Sequence, residues 1–213
     1  MIKKTLTALI LTGAFASAQA DVILQQNFDN VAALPGAGWV MNNASAPAGV
    51  TGWYQGDQQL FTSHSGAPES YAAANFNNAA EHGQISNWLI SPQFSTSTTT
   101  AISLWLRGLD DRGFFDQVAF ASSNGGSAIA DFTVNAVTIA PIDGWTLYTL
   151  TLGAQATGSS GRFAIQYYGN QDNANYIGVD DFSVNRIPEP ASMLLMATGL
   201  MGLAAARRRR PRG

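Results

Sequence analysis

The middle of the chain alternates apolar and polar residues with a period of two. Ile102, Leu104 and Leu106 fall on one face of a segment at 101–107, and the segment 162–167 has the same pattern. Because successive side chains of a strand point to opposite faces, this pattern predicts strands with one buried face. Further candidate strands lie at 22–28, 71–76, 88–90, 118–122, 132–139, 145–152 and 176–184.

Turn-forming residues separate these predicted strands. Clusters of Gly, Pro, Asn, Asp and Ser lie at 34–36, 95–100, 124–126, 141–144 and 158–161. No long segment between 21 and 187 has the periodicity of an amphipathic helix. Many short strands with regular turns favour one all-β domain over 21–187, an antiparallel jelly-roll sandwich.

The first twenty residues are typical of a secretory signal peptide. Lys3 and Lys4 precede an apolar run at 6–15, and Ala18 and Ala20 form an A-x-A cleavage site. The run of about ten residues is too short to span a bilayer, which needs roughly 20. We therefore expect signal peptidase to cleave after residue 20 and to leave Asp21 as the mature N-terminus.

The other end has a motif, an apolar segment and a basic cluster in series. Pro188, Glu189 and Pro190 precede sixteen uncharged residues at 191–206, and four arginines follow at 207–210. As a helix the apolar segment reaches roughly 24 Å, close to the thickness of a hydrocarbon core. The positive-inside rule keeps the arginines cytoplasmic, so the domain lies outside the inner membrane.

This three-part tail resembles the PEP-CTERM sorting signal of Gram-negative bacteria. The resemblance implies that exosortase, a membrane peptidase, processes the tail near Pro188–Pro190. It also implies a link to exopolysaccharide production and biofilm formation. The alternative is a plain C-terminal transmembrane anchor, which hydropathy alone does not separate from a processed tail.

Charge and cysteine content exclude several classes of function. Residues 21–187 contain thirteen acidic and four basic side chains, a formal net charge of about −9, and no lysine. Such a domain is repelled by phosphate backbones, which excludes nucleic-acid binding. The chain contains no cysteine, which removes disulfides, cysteine-based zinc sites and thiol nucleophiles.

The order of landmarks along the domain supports a second resemblance. Its strongest pieces are N-W-L-I-S-P at 87–92 and V-D-D-F-S-V at 179–184, with G-W pairs at 38–39, 52–53 and 144–145. Together they resemble the choice-of-anchor J domain, a cleaved-adhesin or MAM-like jelly roll. The resemblance implies a non-catalytic adhesion or glycan-associated module, and several such domains are stabilised by calcium.

Asp180 and Asp181 are the most prominent candidates for a site. Alternation with Phe182 and Val184 predicts that Asp180 points to the core and Asp181 away. A buried carboxylate needs a partner or a metal. The resemblance implies a Ca²⁺ ion held by an acid near the first strand, here Asp29, together with Asp180 and Asp181. The alternatives are that Asp180 accepts backbone N–H groups, or that it pairs with Arg107 or Arg162.

Other candidate residues are weaker. Trp39, Trp53 and Tyr54 are expected to stack on sugar rings if exposed, with core packing as the alternative. His64 and His82 are interpreted as loop histidines, and Asp110 and Asp111 as a solvated turn. The chain has no nucleophile elbow, phosphate loop or dinucleotide fingerprint.

Three hypotheses for the function follow. The first is an exported, non-catalytic, adhesin-like protein of the cell surface or extracellular matrix, associated with exopolysaccharide. The second is an extracellular glycan-binding module that uses Trp53 and Tyr54. The third is a secreted glycan hydrolase, which would need a pair of carboxylates at a defined separation.

Overall fold

The computed structural model describes residues 21–187, and their backbone is almost entirely strand and turn. Four short 3-10 helices lie between strands, at Val31–Ala37, Phe76–Asn78, Ile129–Asp131 and Gln171–Asn173. The strands are β1 (Asp21–Gln26), β2 (Val40–Asn43), β3 (Ala46–Ala48), β4 (Tyr54–Gln55), β5 (Ala72–Asn75), β6 (Ala79–Ile90), β7 (Phe94–Ser95), β8 (Thr100–Gly108), β9 (Gln117–Ser123), β10 (Thr133–Ile139), β11 (Thr146–Leu152), β12 (Ser160–Asn170) and β13 (Tyr176–Arg186).

The strands form two antiparallel sheets. One sheet has the order β11-β8-β13-β5-β4, and β1 also pairs with β13. The other has the order β10-β9-β12-β6-β2, with β3 pairing with β6 and β7 with β12. The predicted all-β jelly-roll sandwich is confirmed.

The main core lies between the sheets and follows the predicted alternation. In β8 the side chains of Ile102, Leu104 and Leu106 are fully buried, while Ser103 and Trp105 point to the outer face. Trp39 packs edge-on against Phe28 and Phe182, at ring-centroid distances of 5.5 and 5.2 Å. These three aromatic rings thus fill one part of the space between the sheets.

A second, smaller core lies on the outer face of the β8–β13–β5 sheet. It consists of Phe61, Tyr71, Ala73 and Tyr176, with Trp145 packed against it. The segment 56–71, which we call the covering loop, brings Phe61 and Tyr71 onto this face. The Tyr71 hydroxyl lies 2.8 Å from the Asp57 carbonyl oxygen and 3.0 Å from the Tyr176 hydroxyl, and these contacts fix the loop.

The segments predicted for export and sorting lie outside the described residues. These are the signal peptide at 1–20, the motif at 188–190 and the membrane helix at 191–206. Within 21–187 no helix is long and apolar enough to cross a bilayer.

Candidate functional site

Asp180 and Asp181 lie where β13 changes its neighbour. On one side of β13 the pairing with β5 ends at Val179, and the pairing with β1 begins at Phe182. On the other side, Asp180 pairs with Trp105 and Ser183 with Ser103, so two residues of β13 face one residue of β8. This is a β-bulge, and Asp181 adopts a left-handed backbone with φ 45°.

The bulge changes the face to which Asp180 points. Paired residues of neighbouring strands share a face, and the Trp105 ring lies on the outer face, stacked on His64. Asp180 therefore points outward, whereas Val179 and Phe182 both enter the main core. The prediction that Asp180 points to the core on the side of Phe182 is wrong, because the extra residue shifts the alternation by one.

Asp180 is nevertheless fully buried, since the covering loop lies over it. Its Oδ2 accepts the backbone N–H groups of His64 at 2.9 Å and Ser65 at 3.1 Å. Its Oδ1 accepts the N–H of Asp181 at 2.7 Å. The alternative in which Asp180 accepts backbone N–H groups is confirmed.

Arg107 and Arg162, the two arginines considered as partners of Asp180, contact other groups. The Arg107 guanidinium stands 4.5 Å from the centre of the Phe61 ring, in a cation–π contact. Arg162 donates to backbone carbonyls, the shortest contact being 2.7 Å to Ser91. Both arginines therefore fix loops rather than Asp180 and Asp181, which we call the acid pair.

Asp181 binds the side chains of the covering loop. Its Oδ2 lies 2.7 Å from His64 Nδ1, and its Oδ1 accepts the Ser65 hydroxyl at 2.8 Å. The His64 ring stacks on Trp105 with a centroid distance of 3.7 Å and an interplanar angle of 16°. His64 lies in a loop, as predicted, but its side chain also contacts Asp181 and Trp105. It anchors the covering loop to β8 and β13.

These groups do not form a relay for nucleophilic catalysis. A serine nucleophile needs its hydroxyl hydrogen-bonded to the imidazole that removes its proton. Here Ser65 donates to the Asp181 carboxylate instead. The arrangement fits a structural clamp.

Burial raises the pKa of Asp180 to about 6, and the charge of Asp181 adds to this effect. The backbone N–H groups of Ser65, Asp181 and His64 act in the opposite direction, because they stabilise the charged carboxylate. Desolvation under the loop is the largest cause.

The acid pair is not arranged as a calcium site in this structure. Three N–H groups occupy acceptor positions of Asp180, and their positive ends point to where a cation would bind. Asp29 is exposed, and its carboxylate lies near Gly66 of the covering loop. Within 21–187 no cluster of three or more acidic or histidine side chains is arranged to hold a metal ion. Calcium binding by Asp29, Asp180 and Asp181 stays a prediction.

The predicted sugar-stacking residues lie in different environments. Trp39 and Trp53 are 3% and 6% exposed and belong to the main core. Core packing is therefore confirmed for both tryptophans, and Trp53 offers no ring face to a ligand. Tyr54 is half-buried, with its ring 6.3 Å from that of Tyr176, and it lines a surface cleft.

This cleft lies among the loops that follow β5, β8 and β12. One part of about 370 Å³ and another of about 270 Å³ share Phe76 and Asn175, and we call the two together the end cleft. Phe76 and Phe114 line it with 37% and 43% of their surface exposed. Polar lining comes from Asp57, Asn75, Glu81, Asp111, Gln171 and Asp172.

Buried contacts hold the floor of the end cleft in place. Asp116 accepts the Tyr167 hydroxyl at 2.5 Å and the backbone N–H groups of Asn175 at 2.7 Å and Tyr176 at 3.2 Å. Burial raises the pKa of Asp116, while these three donors lower it. The side-chain Nδ2 of Asn175 is buried without a protein partner. This donor is therefore unsatisfied by protein groups and is not exposed to solvent.

His82 lies next to the end cleft, within β6 rather than in a loop. Its Nδ1 is 2.9 Å from Asp172 Oδ2, and hydrogen bonding to Asp172 raises its pKa. Sequence reasoning missed Phe76 and Phe114 as cleft residues. The one visible signal was an apolar pair, Phe114 and Phe115, within a turn-forming stretch.

The C-terminal tail matches a known family model. Residues 186–210 match the PEP-CTERM protein-sorting motif. The chain therefore carries this sorting motif, and the predicted resemblance and export from the cell are confirmed. No curated protein matches the chain.

The β-sandwich domain is similar in fold to several solved structures. The K3 cleaved adhesin domain of Lys-gingipain from Porphyromonas gingivalis W83 is similar, with 18% identity, TM-score 0.60, and coverage of 78% of this chain and 99% of that one. The K1 domain of the same protein has 16% identity, TM-score 0.61 and coverage of 78% and 98%. The K2 domain has 19% identity, TM-score 0.55 and coverage of 76% and 96%. At these identities the similarity is one of fold.

Proposed function

We propose that the protein is a non-catalytic, adhesin-like component of the cell surface or extracellular matrix, associated with exopolysaccharide and processed by exosortase. The observation that carries the proposal is a PEP-CTERM motif at 186–210 that begins at the last residue of β13. The domain before it has the fold of cleaved adhesin domains. A sorting signal joined to such a domain suits a protein displayed outside the cell.

The arrangement of polar groups supports a non-catalytic role. Asp180 and Asp181 accept hydrogen bonds from His64 and Ser65, and these contacts hold the covering loop. Asp116, the other buried acid within 21–187, holds the start of β13 at 175–176. Catalysis needs groups free to exchange protons with a substrate, and these three are engaged in the fold.

Intact-mass analysis of the protein from its producing cells tests the sorting proposal. We expect a species that begins at Asp21 and ends near Pro188–Pro190, found in the surface or matrix fraction. Replacing Pro188, Glu189 and Pro190 by alanine should leave the tail uncut, and so should loss of exosortase. A full-length protein retained in the cytosol, from Met1 to Gly213, contradicts the proposal.

A second candidate function, glycan binding, is favoured by the end cleft. Sugar rings present an apolar C–H face and a rim of hydroxyl groups. The cleft offers exposed Phe76 and Phe114 rings beside carboxylate and amide side chains. Because the domain is strongly acidic, a neutral polysaccharide suits it better than an anionic one.

Calorimetric titration with a panel of neutral oligosaccharides tests this second function. We expect Phe114→Ala to weaken binding about 2- to 10-fold, the usual worth of one aromatic contact. Phe115→Ala is the matched control, since Phe115 is 44% exposed but does not line the cleft. Equal affinities of the two variants contradict a site at the end cleft.

A further inference from the structure

A third depression continues the end cleft along the surface of the sandwich. It has a volume of about 410 Å³ and shares Glu81 and Gln171 with the part of the cleft that contains Phe114. Its other walls come from the end of β3, the loop after it and the start of β6. Because neighbouring parts share lining residues, the three form one series, and we call them together the end groove.

Exposed apolar side chains are distributed along the end groove. Val50 is 91% exposed in the third depression, and Leu60 is 41% exposed in the part that contains Tyr54. The rings of Phe76 and Phe114 lie in the part that joins these two. Single exposed apolar residues are ordinary, but four along one depression mark a contact surface. Their distribution suits an elongated ligand.

Negative charge is the second property of the end groove. Each of its three parts is lined by at least one carboxylate, from Asp57, Glu81, Asp111 and Asp172. No lysine, arginine or histidine of residues 21–187 lines it. His82 contacts Asp172 at 2.9 Å from beside the groove and compensates only that carboxylate at hydrogen-bond distance. The groove therefore favours a positively charged ligand.

Two of these carboxylates are available to a ligand. Within 21–187, the one ion-pair contact of Glu81 is with His82 Nε2 and is 3.8 Å long, and the Glu81 side chain is 86% exposed. Asp111 is also exposed, and its carboxylate accepts no hydrogen bond from the described residues. Asp116 and Asp180, by contrast, hold backbone N–H groups in place. Glu81 and Asp111 can thus bind a ligand without loss of a contact in the fold.

Carboxylates beside exposed aromatic rings form a suitable environment for ammonium groups. A carboxylate pairs with the positive charge, and the face of a phenylalanine ring attracts a cation within about 6 Å of its centre. Phe76 and Phe114 line the same part of the groove as Glu81 and Asp111. The same rings can pack on the apolar C–H face of a sugar.

We propose that the end groove binds a linear polysaccharide containing amino sugars with free ammonium groups. The proposal rests on the glycan-binding function proposed above and specifies its substrate class. Amide side chains also line the groove, those of Asn75, Asn77 and Gln171, and they suit the hydroxyl groups of a sugar chain. A basic peptide shares the positive charge but lacks a rim of hydroxyl groups, so the lining favours the polysaccharide.

Calorimetric titration of the mature protein with two oligosaccharides of the same length tests the proposal. One consists of glucosamine, whose amino groups are charged, and the other is fully N-acetylated and neutral. An exposed ion pair is worth about 2- to 5-fold in affinity. With two or three such pairs, the glucosamine oligosaccharide should bind about 5- to 30-fold more tightly at low salt. This preference should decrease as salt is added, because salt screens exposed charges.

A double variant locates the preference in the end groove. Glu81→Gln combined with Asp111→Asn should remove most of the preference for glucosamine, because two of the lining charges are lost. Glu69→Gln combined with Asp143→Asn is the matched control, since both acids are exposed, lie outside the groove and change the net charge by the same amount. The control should keep the full preference. A groove variant that also keeps it overturns the proposal.

The remaining outcomes separate the amino-sugar proposal from the glycan-binding function. Equal affinities for the two oligosaccharides overturn the amino-sugar proposal and leave glycan binding in place. Binding of neither oligosaccharide contradicts both. An oligolysine of the same charge that binds as tightly as the glucosamine oligosaccharide also overturns the proposal, because the groove would then recognise positive charge rather than a sugar chain.

Discussion

The free energy of unfolding should fall as the pH rises from about 4 to about 6, because Asp180 must lose a proton in a buried position. Its pKa is about 6 in the folded protein, against an ordinary value of 3.8. The folded state therefore binds this proton more tightly than the unfolded chain. The resulting stability is fully present below the ordinary pKa and is lost as the pH passes the folded value.

The magnitude follows from the difference between the two pKa values. Each pKa unit corresponds to about 1.4 kcal/mol, so the upper limit is about 3 kcal/mol. Asp180 is buried beneath a single loop, where the effective dielectric constant is well above that of a dry interior, so we expect a smaller change of about 1–2 kcal/mol. Asp116 changes stability in the same direction, since burial also raises its pKa.

Urea unfolding of the wild type and of Asp180→Asn, measured in steps from about pH 4 to about pH 7, isolates the contribution of Asp180. The asparagine does not titrate, so its curve should lack about 1–2 kcal/mol of the decline seen in the wild type. Asp110→Asn, an exposed change in the β8–β9 loop, is the control and should follow the wild type. Parallel curves for the wild type and Asp180→Asn would refute the reasoning.

Three further predictions concern stability. If Asp29, Asp180 and Asp181 bind Ca²⁺, calcium at about 100 times its dissociation constant should add about 2.7 kcal/mol to the unfolding free energy; an unfolding midpoint unchanged by a chelator removes the calcium proposal. Phe182→Ala should cost about 3–5 kcal/mol in urea unfolding, because it leaves a cavity beside Trp39 and Phe163. Gly178→Ala should cost about 1–3 kcal/mol and make the covering loop more sensitive to protease, since a Cβ there would lie 2.8 Å from the Tyr71 ring; an unchanged rate of proteolysis contradicts this account of the second core.

The central strands were predictable because their signal is local. The alternation at 101–107 and 162–167 corresponds to β8 and β12, which bury one side chain in two against the other sheet. The prediction was poorer where a strand is polar. Only 88–90 was predicted of β6, although it extends over Ala79–Ile90, because Glu81, His82 and Gln84 lie on an exposed part of the strand.

Asp180 and Asp181 could be identified as candidate site residues from the sequence, but their direction and their partners could not be predicted. Alternation indicated the wrong face for Asp180, since a bulge shifts the pattern and leaves no mark in the sequence. The partners of the pair, His64 and Ser65, lie more than 110 positions away along the chain. A contact of this kind depends on where the covering loop crosses the sheet, which no local pattern encodes.

The edge strand β11 shows how local and non-local information combine. The sequence of β11 is uncharged and free of proline, and β8 has only one charged residue, Arg107, so composition alone does not identify the edge strand. Sheet order does: β8 is enclosed by β11 and β13, whereas β11 has one neighbour among the described residues. An uncharged strand needs no explanation in a sheet interior, where its backbone groups are paired on both sides. The same composition at an edge leaves one row of backbone N–H and C=O groups without a strand partner among the described residues.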